Sequence, residues 1–197
     1  SELMSIRMIT WVVTIMLNTT VLFAQSVKAS QNIKGDRLLL SFDQPGQNHD
    51  WQVINDGVMG GLSVGKTQLK NQVFIFSGSI STKNNGGFTS VYRPIATMPQ
   101  DFQWVKISVK GDGKPYQLRM RSQVMGYDLA YKINFTTKEA TMQTLTFNLA
   151  DFQASFRGRI LSGAPTLKAE TISHVGFLIS AKQAADFSLS TYGIEFY

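Results

Sequence analysis

The sequence predicts an all-β protein, built as an antiparallel β-sandwich or jelly roll. Three observations carry this expectation. Short runs alternate apolar and polar residues with a period of two, glycine- and asparagine-rich turns separate them, and apolar residues do not recur at helical spacing over any sustained stretch. A strand of that kind buries one face only, so many of them must form sheets that pack on each other.

Taken in order, the alternating runs fall at residues 38–42, 73–79, 88–92, 104–110, 116–121, 129–135, 145–149, 171–179 and 187–197. Residues 129–135 show the pattern well: Leu129, Tyr131, Ile133 and Phe135 share one face, Lys132 and Asn134 the other. Asn55-Asp56-Gly57, Asn84-Asn85-Gly86-Gly87 and Gly111-Asp112-Gly113 supply turns. Residues 151–156 are the one candidate helical turn, closed off by Gly158 and Gly163-Ala164-Pro165. With no internal repeat or linker, residues 30–197 are expected to form one jelly-roll domain.

Residues 1–29 differ in character. Arg7 precedes an apolar run from Met8 to Leu17, Val21 to Ala24 continue it, and Val27-Lys28-Ala29 sets small residues for cleavage, so a secretory signal peptide and an exported, periplasmic or extracellular protein are expected. A single Arg fits a mitochondrial presequence less well. Asn18-Thr19-Thr20 interrupts the apolar run and leaves it shorter than the ~20 residues of a membrane span, and no integral span is expected in the mature chain.

The chain has 197 residues, no cysteine and a net charge of +6. Thiol catalysis, thiolate metal sites and disulfides are thereby excluded. The basic residues are dispersed, which gives no nucleic-acid stripe.

Residues 60–67, GGLSVGKT, satisfy the phosphate-binding pattern G-x-x-x-x-G-K-[ST]. That pattern works only between a buried strand and a helix whose N-terminus faces the phosphates. Here a polar turn at Lys70-Asn71 and the apolar run Val73-Phe74-Ile75-Phe76 follow, which is the grammar of a hairpin. No nucleotide is expected to bind, and Lys66 is expected to start a strand.

The glycines belong to a longer set of motifs. Trp51-x-x-Ile54-Asn55-Asp56-Gly57-Val58-Met59-Gly60-Gly61 is followed by Phe76-x-Gly78, Asn85-Gly86-Gly87-Phe88-x-Ser90-Val91-x-Arg93, Lys110-Gly111-Asp112-Gly113-Lys114-x-Tyr116, Phe156-Arg157-Gly158 and Val175-Gly176-Phe177. In this order they resemble the complex I intermediate-associated protein 30 family. The resemblance implies a galactose-binding-like jelly roll and a binding role in assembly, through protein intermediates and without catalysis or cofactor. It leaves complex I doubtful as the client of a chain that carries an export signal.

Two classes of function stay open: a protein-binding assembly or chaperone-like module, and a carbohydrate-binding module of the cell envelope. The candidate binding residues are Trp51, Asn55, Asp56, Met59, Asn85, Phe88, Arg93, Arg119, Arg121 and Arg157. Met59 between glycines offers an adaptable apolar contact, and Trp51 an aromatic platform. Arg119 and Arg121 share one strand face, and Arg93 on a neighbouring strand would complete a group able to hold a carboxylate, phosphate or sugar hydroxyls. The same residues also have an architectural reading, in which Asp56 and the glycines close turns and the arginine stems cover apolar surface. His49 and His174 are isolated, no dense acidic loop is present, and no metal site is expected. Neither a G-x-S-x-G elbow nor paired carboxylates propose an enzyme.

Overall fold

The computed structural model describes residues 31–42, 50–156 and 158–197, so the expected signal segment, His49 and Arg157 lie outside the described residues. In chain order the strands are β1 (Gln31–Lys34), β2 (Arg37–Leu40), β3 (Gln52–Asn55), β4 (Val64–Lys70), β5 (Val73–Ile80), β6 (Phe88–Pro94) and β7 (Trp104–Lys110). They continue as β8 (Pro115–Val124), β9 (Tyr127–Thr136), β10 (Met142–Asn148), β11 (Gln153–Phe156), β12 (Arg159–Ile160), β13 (Ile172–Ser180) and β14 (Ala185–Phe196). Among the described residues there is no α-helix, and short 3-10 turns interrupt the strands. The expected helical turn is a single 3-10 turn at Leu149–Asp151 that runs straight into β11.

The strands form two antiparallel sheets, the jelly-roll architecture that the alternation predicted. The first has the order β1-β2-β14-β5-β4, with β7 also paired to β14 and β10 to β7. β14 is long enough to give one edge to two strands in succession: Thr191 pairs with Phe74 on β5, and Ile194 with Leu40 on β2. The second sheet has the order β12-β11-β9-β8-β13-β6-β3.

The core lies between the sheets. On β7, Val105, Ile107 and Val109 are buried while Trp104 and Lys110 face out, so one period-two run specifies which face is covered. Leu118, Met120, Val175 and Phe177 answer from the second sheet. Each such side chain contributes about 1.5–3 kcal/mol through burial. Trp51 is in this core, stacked on Phe74 with ring centroids 3.9 Å apart. It therefore offers no exposed platform to a ligand.

Candidate binding surfaces

The loop that opens with Asp56 is organised around a buried carboxylate. Asp56 starts a 3-10 turn that ends at Met59, and Gly60 closes it in the left-handed region at φ +85°. The Asp56 side chain has no exposed surface. Its Oδ1 accepts from the Ser63 amide at 3.0 Å, and its Oδ2 accepts from Ser63 Oγ at 2.6 Å and from the amides of Gly87 and Phe88 at 2.7 and 3.2 Å. Burial pushes this carboxyl up, but the hydrogen bonds from Ser63, Gly87 and Phe88 outweigh it and hold it below its ordinary value.

This explains the glycines. A Cβ on Gly61 would sit 2.2 Å from Asp56 Cγ, and one on Gly86 would sit 2.6 Å from Asp56 Oδ2. Both must be bare so that the two loops can close on the carboxylate. Asn55 adds a second tie, its Oδ1 accepting from the Gly65 amide at 2.9 Å and from Thr89 Oγ1 at 2.6 Å. Lys66 lies within β4, opposite Ser77, and the strand continues to Lys70, so the helix that a phosphate loop requires does not follow.

The two candidate loops meet, and Asp56 is consumed in holding them together. Asn85 is exposed in the left-handed region at φ +58°, and Phe88 is half-buried at the start of β6. The Met59 side chain and Arg157 lie outside the described residues.

Arg93 departs from the expected arginine group. It is buried, 3.6 Å from the Asp50 carboxylate, with its guanidinium 5.7 Å from the Trp51 ring centre. β13 separates β6 from β8, and alternation along β6 sends Val91 and Arg93 inward while Tyr92 faces out. Burial lowers the Arg93 pKa, and Asp50 opposes that shift.

Arg119 and Arg121 do share a face, the outer side of the second sheet. Tyr92 lies between them and the bare backbone of Gly176, where a Cβ would come 2.7 Å from Tyr92 Cδ1. Arg119 Nε donates to the Tyr92 hydroxyl at 3.1 Å and Nη1 to Gln117 Oε1 at 2.8 Å, while Arg121 stacks 4.1 Å from the Tyr92 ring centre.

A further surface escaped the sequence reading. At the far end of the second sheet the β8–β9 hairpin projects with Val124, Tyr127 and Leu129, and with Phe156, Leu161, Gly163 and Pro165 they line a groove of about 550 Å³. Tyr127 and Met125 are exposed to 70% and 89%. The hairpin turn is Met125-Gly126, with φ of +50° and +81°. Positive φ at both central residues is the turn that favours Asn-Gly. The signal was present in the sequence as Val124-Met125-Gly126-Tyr127, an apolar run at a position where turns are polar.

Among the described residues no group of three or more His, Asp or Glu converges as for a metal ion. Comparison with known proteins bears on the family and the fold. The family model of complex I intermediate-associated protein 30 matches residues 40–191. An uncharacterized protein of Schizosaccharomyces pombe is 26% identical over 183 residues, covering 77% of this chain and 80% of the relative. Among solved structures, the family 11 carbohydrate-binding module of Clostridium thermocellum, in complex with a β-1,3-1,4-mixed-linked tetrasaccharide, superposes with a TM-score of 0.59. It is 12% identical, and the match covers 80% of this chain and 94% of the module. The agarase AgWH50C superposes with a TM-score of 0.53 at 12% identity, over 79% of this chain and 24% of the agarase. At such identities the likeness is one of fold.

Proposed function

The chain belongs to the complex I intermediate-associated protein 30 family, and from that membership we propose that it is a non-catalytic module that binds a protein client through an apolar segment seated in the groove beneath the β8–β9 hairpin. The family's name denotes association with protein intermediates. The observation that carries the reading is Met125. A side chain with a Cβ in the left-handed region costs roughly 1 kcal/mol relative to glycine or asparagine in the same turn. Here it holds an almost fully exposed methionine at the mouth of an apolar groove. Methionine adapts to varied apolar partners, and Tyr127, Phe156 and Leu161 extend the contact.

A sugar would want planar polar groups beside the aromatic rings, whereas this groove is lined mainly by apolar side chains and backbone, with Ser162 supplying a hydroxyl. The apolar segment after Arg7, read as a signal peptide, favours a client in the envelope or outside the cell. Complex I is not assumed as the client.

The test is a photocrosslinking phenylalanine analogue in place of Tyr127, in the full chain and in the producing cells. Discrete protein adducts are expected there, absent when the analogue replaces exposed Thr144 on β10 and lost on adding Leu161→Asp. Identical adducts at both positions, no adduct at either, or an adduct consisting of two copies of this chain would overturn the reading.

A further inference from the structure

We infer that the outer face of the second sheet is a separate binding site, for a carboxylated polysaccharide, built on Arg119, Arg121 and Lys132. Arg119 and Lys132 are directly opposite each other on β8 and β9, and Arg121 follows on the same face of β8. Like charges in directly opposed positions repel, and all three are half-buried. Among the described residues no carboxylate forms an ion pair with any of them. Asp128, toward the hairpin tip on that face, instead accepts from Gln123. An anion is the missing partner that relieves this repulsion.

The guanidinium groups are already ordered for one. Arg119 spends Nε on the Tyr92 hydroxyl and one Nη1 proton on Gln117, and Arg121 is held flat on the Tyr92 ring. Their remaining N–H groups form fixed forks of the kind that hold carboxylates in two-point fashion.

The shape of the surface favours an extended, hydroxyl-rich chain. Gln52, Tyr92, Gly176, Arg119, Lys132 and Gln153 stand in one row across β3, β6, β13, β8, β9 and β11. At strand spacing this row is about 24 Å long. Gln52 and Gln153 at its ends are exposed, and Gln117 and Asn134 flank it in the adjacent row. Amides donate to and accept from sugar hydroxyls. Tyr92, the ring in this row, is covered, so neither bases nor sugar rings stack here, and recognition rests on the charged forks and the amides along the row. A peptide would look for an apolar pocket, such as the one at the hairpin tip, which none of this row's residues line.

Binding of the full chain to an oligogalacturonate is measured by calorimetry beside a neutral β-glucan, poly-glutamate and single-stranded DNA. Saturable binding to the oligogalacturonate is expected, at least about tenfold tighter than to the other three. Arg119→Gln and Lys132→Gln are each expected to weaken it about tenfold, while Lys70→Gln on the first sheet leaves it unchanged. Arg119→Lys keeps the charge and loses the fork, so it is expected to weaken binding too. Melting temperatures show that each variant is folded, and Lys132→Gln stands in should either Arg119 variant unfold. Leu161→Asp, which tests the client groove, should leave this binding intact. No binding to the oligogalacturonate, equal binding to poly-glutamate or DNA, or full binding by Lys132→Gln would overturn the inference.

Discussion

The loops around Asp56 and the β8–β9 hairpin tip both use backbone in the left-handed region, and they use it to opposite ends. At the latch, Gly60 takes the positive φ, Gly61 and Gly86 make room for a carboxylate, and each buried carboxylate oxygen meets donors. At the tip, Met125 takes the positive φ and its side chain is left in solvent. The β4–β5 hairpin supplies a control within the same molecule. Its two-residue turn, Asn71-Gln72, has the same signs of φ at +51° and +63°, but asparagine occupies the first position, as that conformation prefers. A region in which every local demand is met is architecture. Gln72 bears the same left-handed cost as Met125 but is polar, so what sets the tip apart is an exposed apolar side chain in that conformation beside an apolar groove.

The largest expected effect comes from removing the latch. Asp56→Ala leaves the amides of Ser63, Gly87 and Phe88 without their buried acceptor, and should cost about 4 kcal/mol in a urea titration. Client capture at the hairpin tip should persist in whatever fraction stays folded. Loss of capture by folded Asp56→Ala would show that the two regions are coupled.

The same carboxylate gives a pH signature. Its folded pKa is depressed below the ordinary 3.8, so its contribution to stability is fully present above that value and is lost as pH falls through the folded one. The stability gap between wild type and Asp56→Asn should therefore narrow under acid. Glu195, also depressed by hydrogen bonds from Lys106 and Arg37, titrates in both proteins and cancels in the comparison. A gap that widens as pH falls below 3.8 would contradict the assignment.

Next in size is Gly61→Ala, whose methyl would lie 2.2 Å from Asp56 Cγ. Overpacking of this kind costs about 1–3 kcal/mol. Gly57→Ala, with nothing within 4 Å of its added Cβ, is the matched substitution and should cost clearly less. Equal losses in the two variants, measured as denaturation midpoints, would mean that the contact with Asp56 is not what demands glycine.

Strand identity could be read in advance because period-two alternation is local: β5, β7, β9 and β14 lie where the alternation put them, give or take their ends. β12, two residues long, is too short to show a period, and β11 follows a 3-10 turn that drew the helical reading. Sites are a harder matter, because a face becomes a surface only through pairings distant in sequence. The sequence shows that Arg119 and Arg121 share a face. It cannot show that β13 comes between β6 and β8, that Gly176 admits the Tyr92 ring between them, or that Arg93 turns inward. Asp56 was read as a turn former or a contact, and its buried role needed Gly87, 31 residues away. The hairpin tip is the opposite case: its signal is local, apolar residues at Val124-Met125-Gly126-Tyr127 where turns are ordinarily polar.

The smallest expected effect is also the one that separates the two regions most sharply. Met125→Asn places at the tip the residue that the β4–β5 turn already uses, in the same backbone conformation. Asparagine tolerates the left-handed region, so the variant should be more stable than wild type by about 0.5–1 kcal/mol. Its polar side chain no longer offers an apolar contact, so crosslinking from position 127 should fall. Denaturation and crosslinking on one preparation therefore move in opposite directions, which a purely structural role for Met125 does not allow. If stability rises and crosslinking is unchanged, Met125 is a poor turn residue and nothing more, and the groove must bind its client through Tyr127, Phe156 and Leu161 alone. If stability falls, the tip is packed in a way that its 89% exposure does not reveal, and the contrast with the Asp56 latch fails.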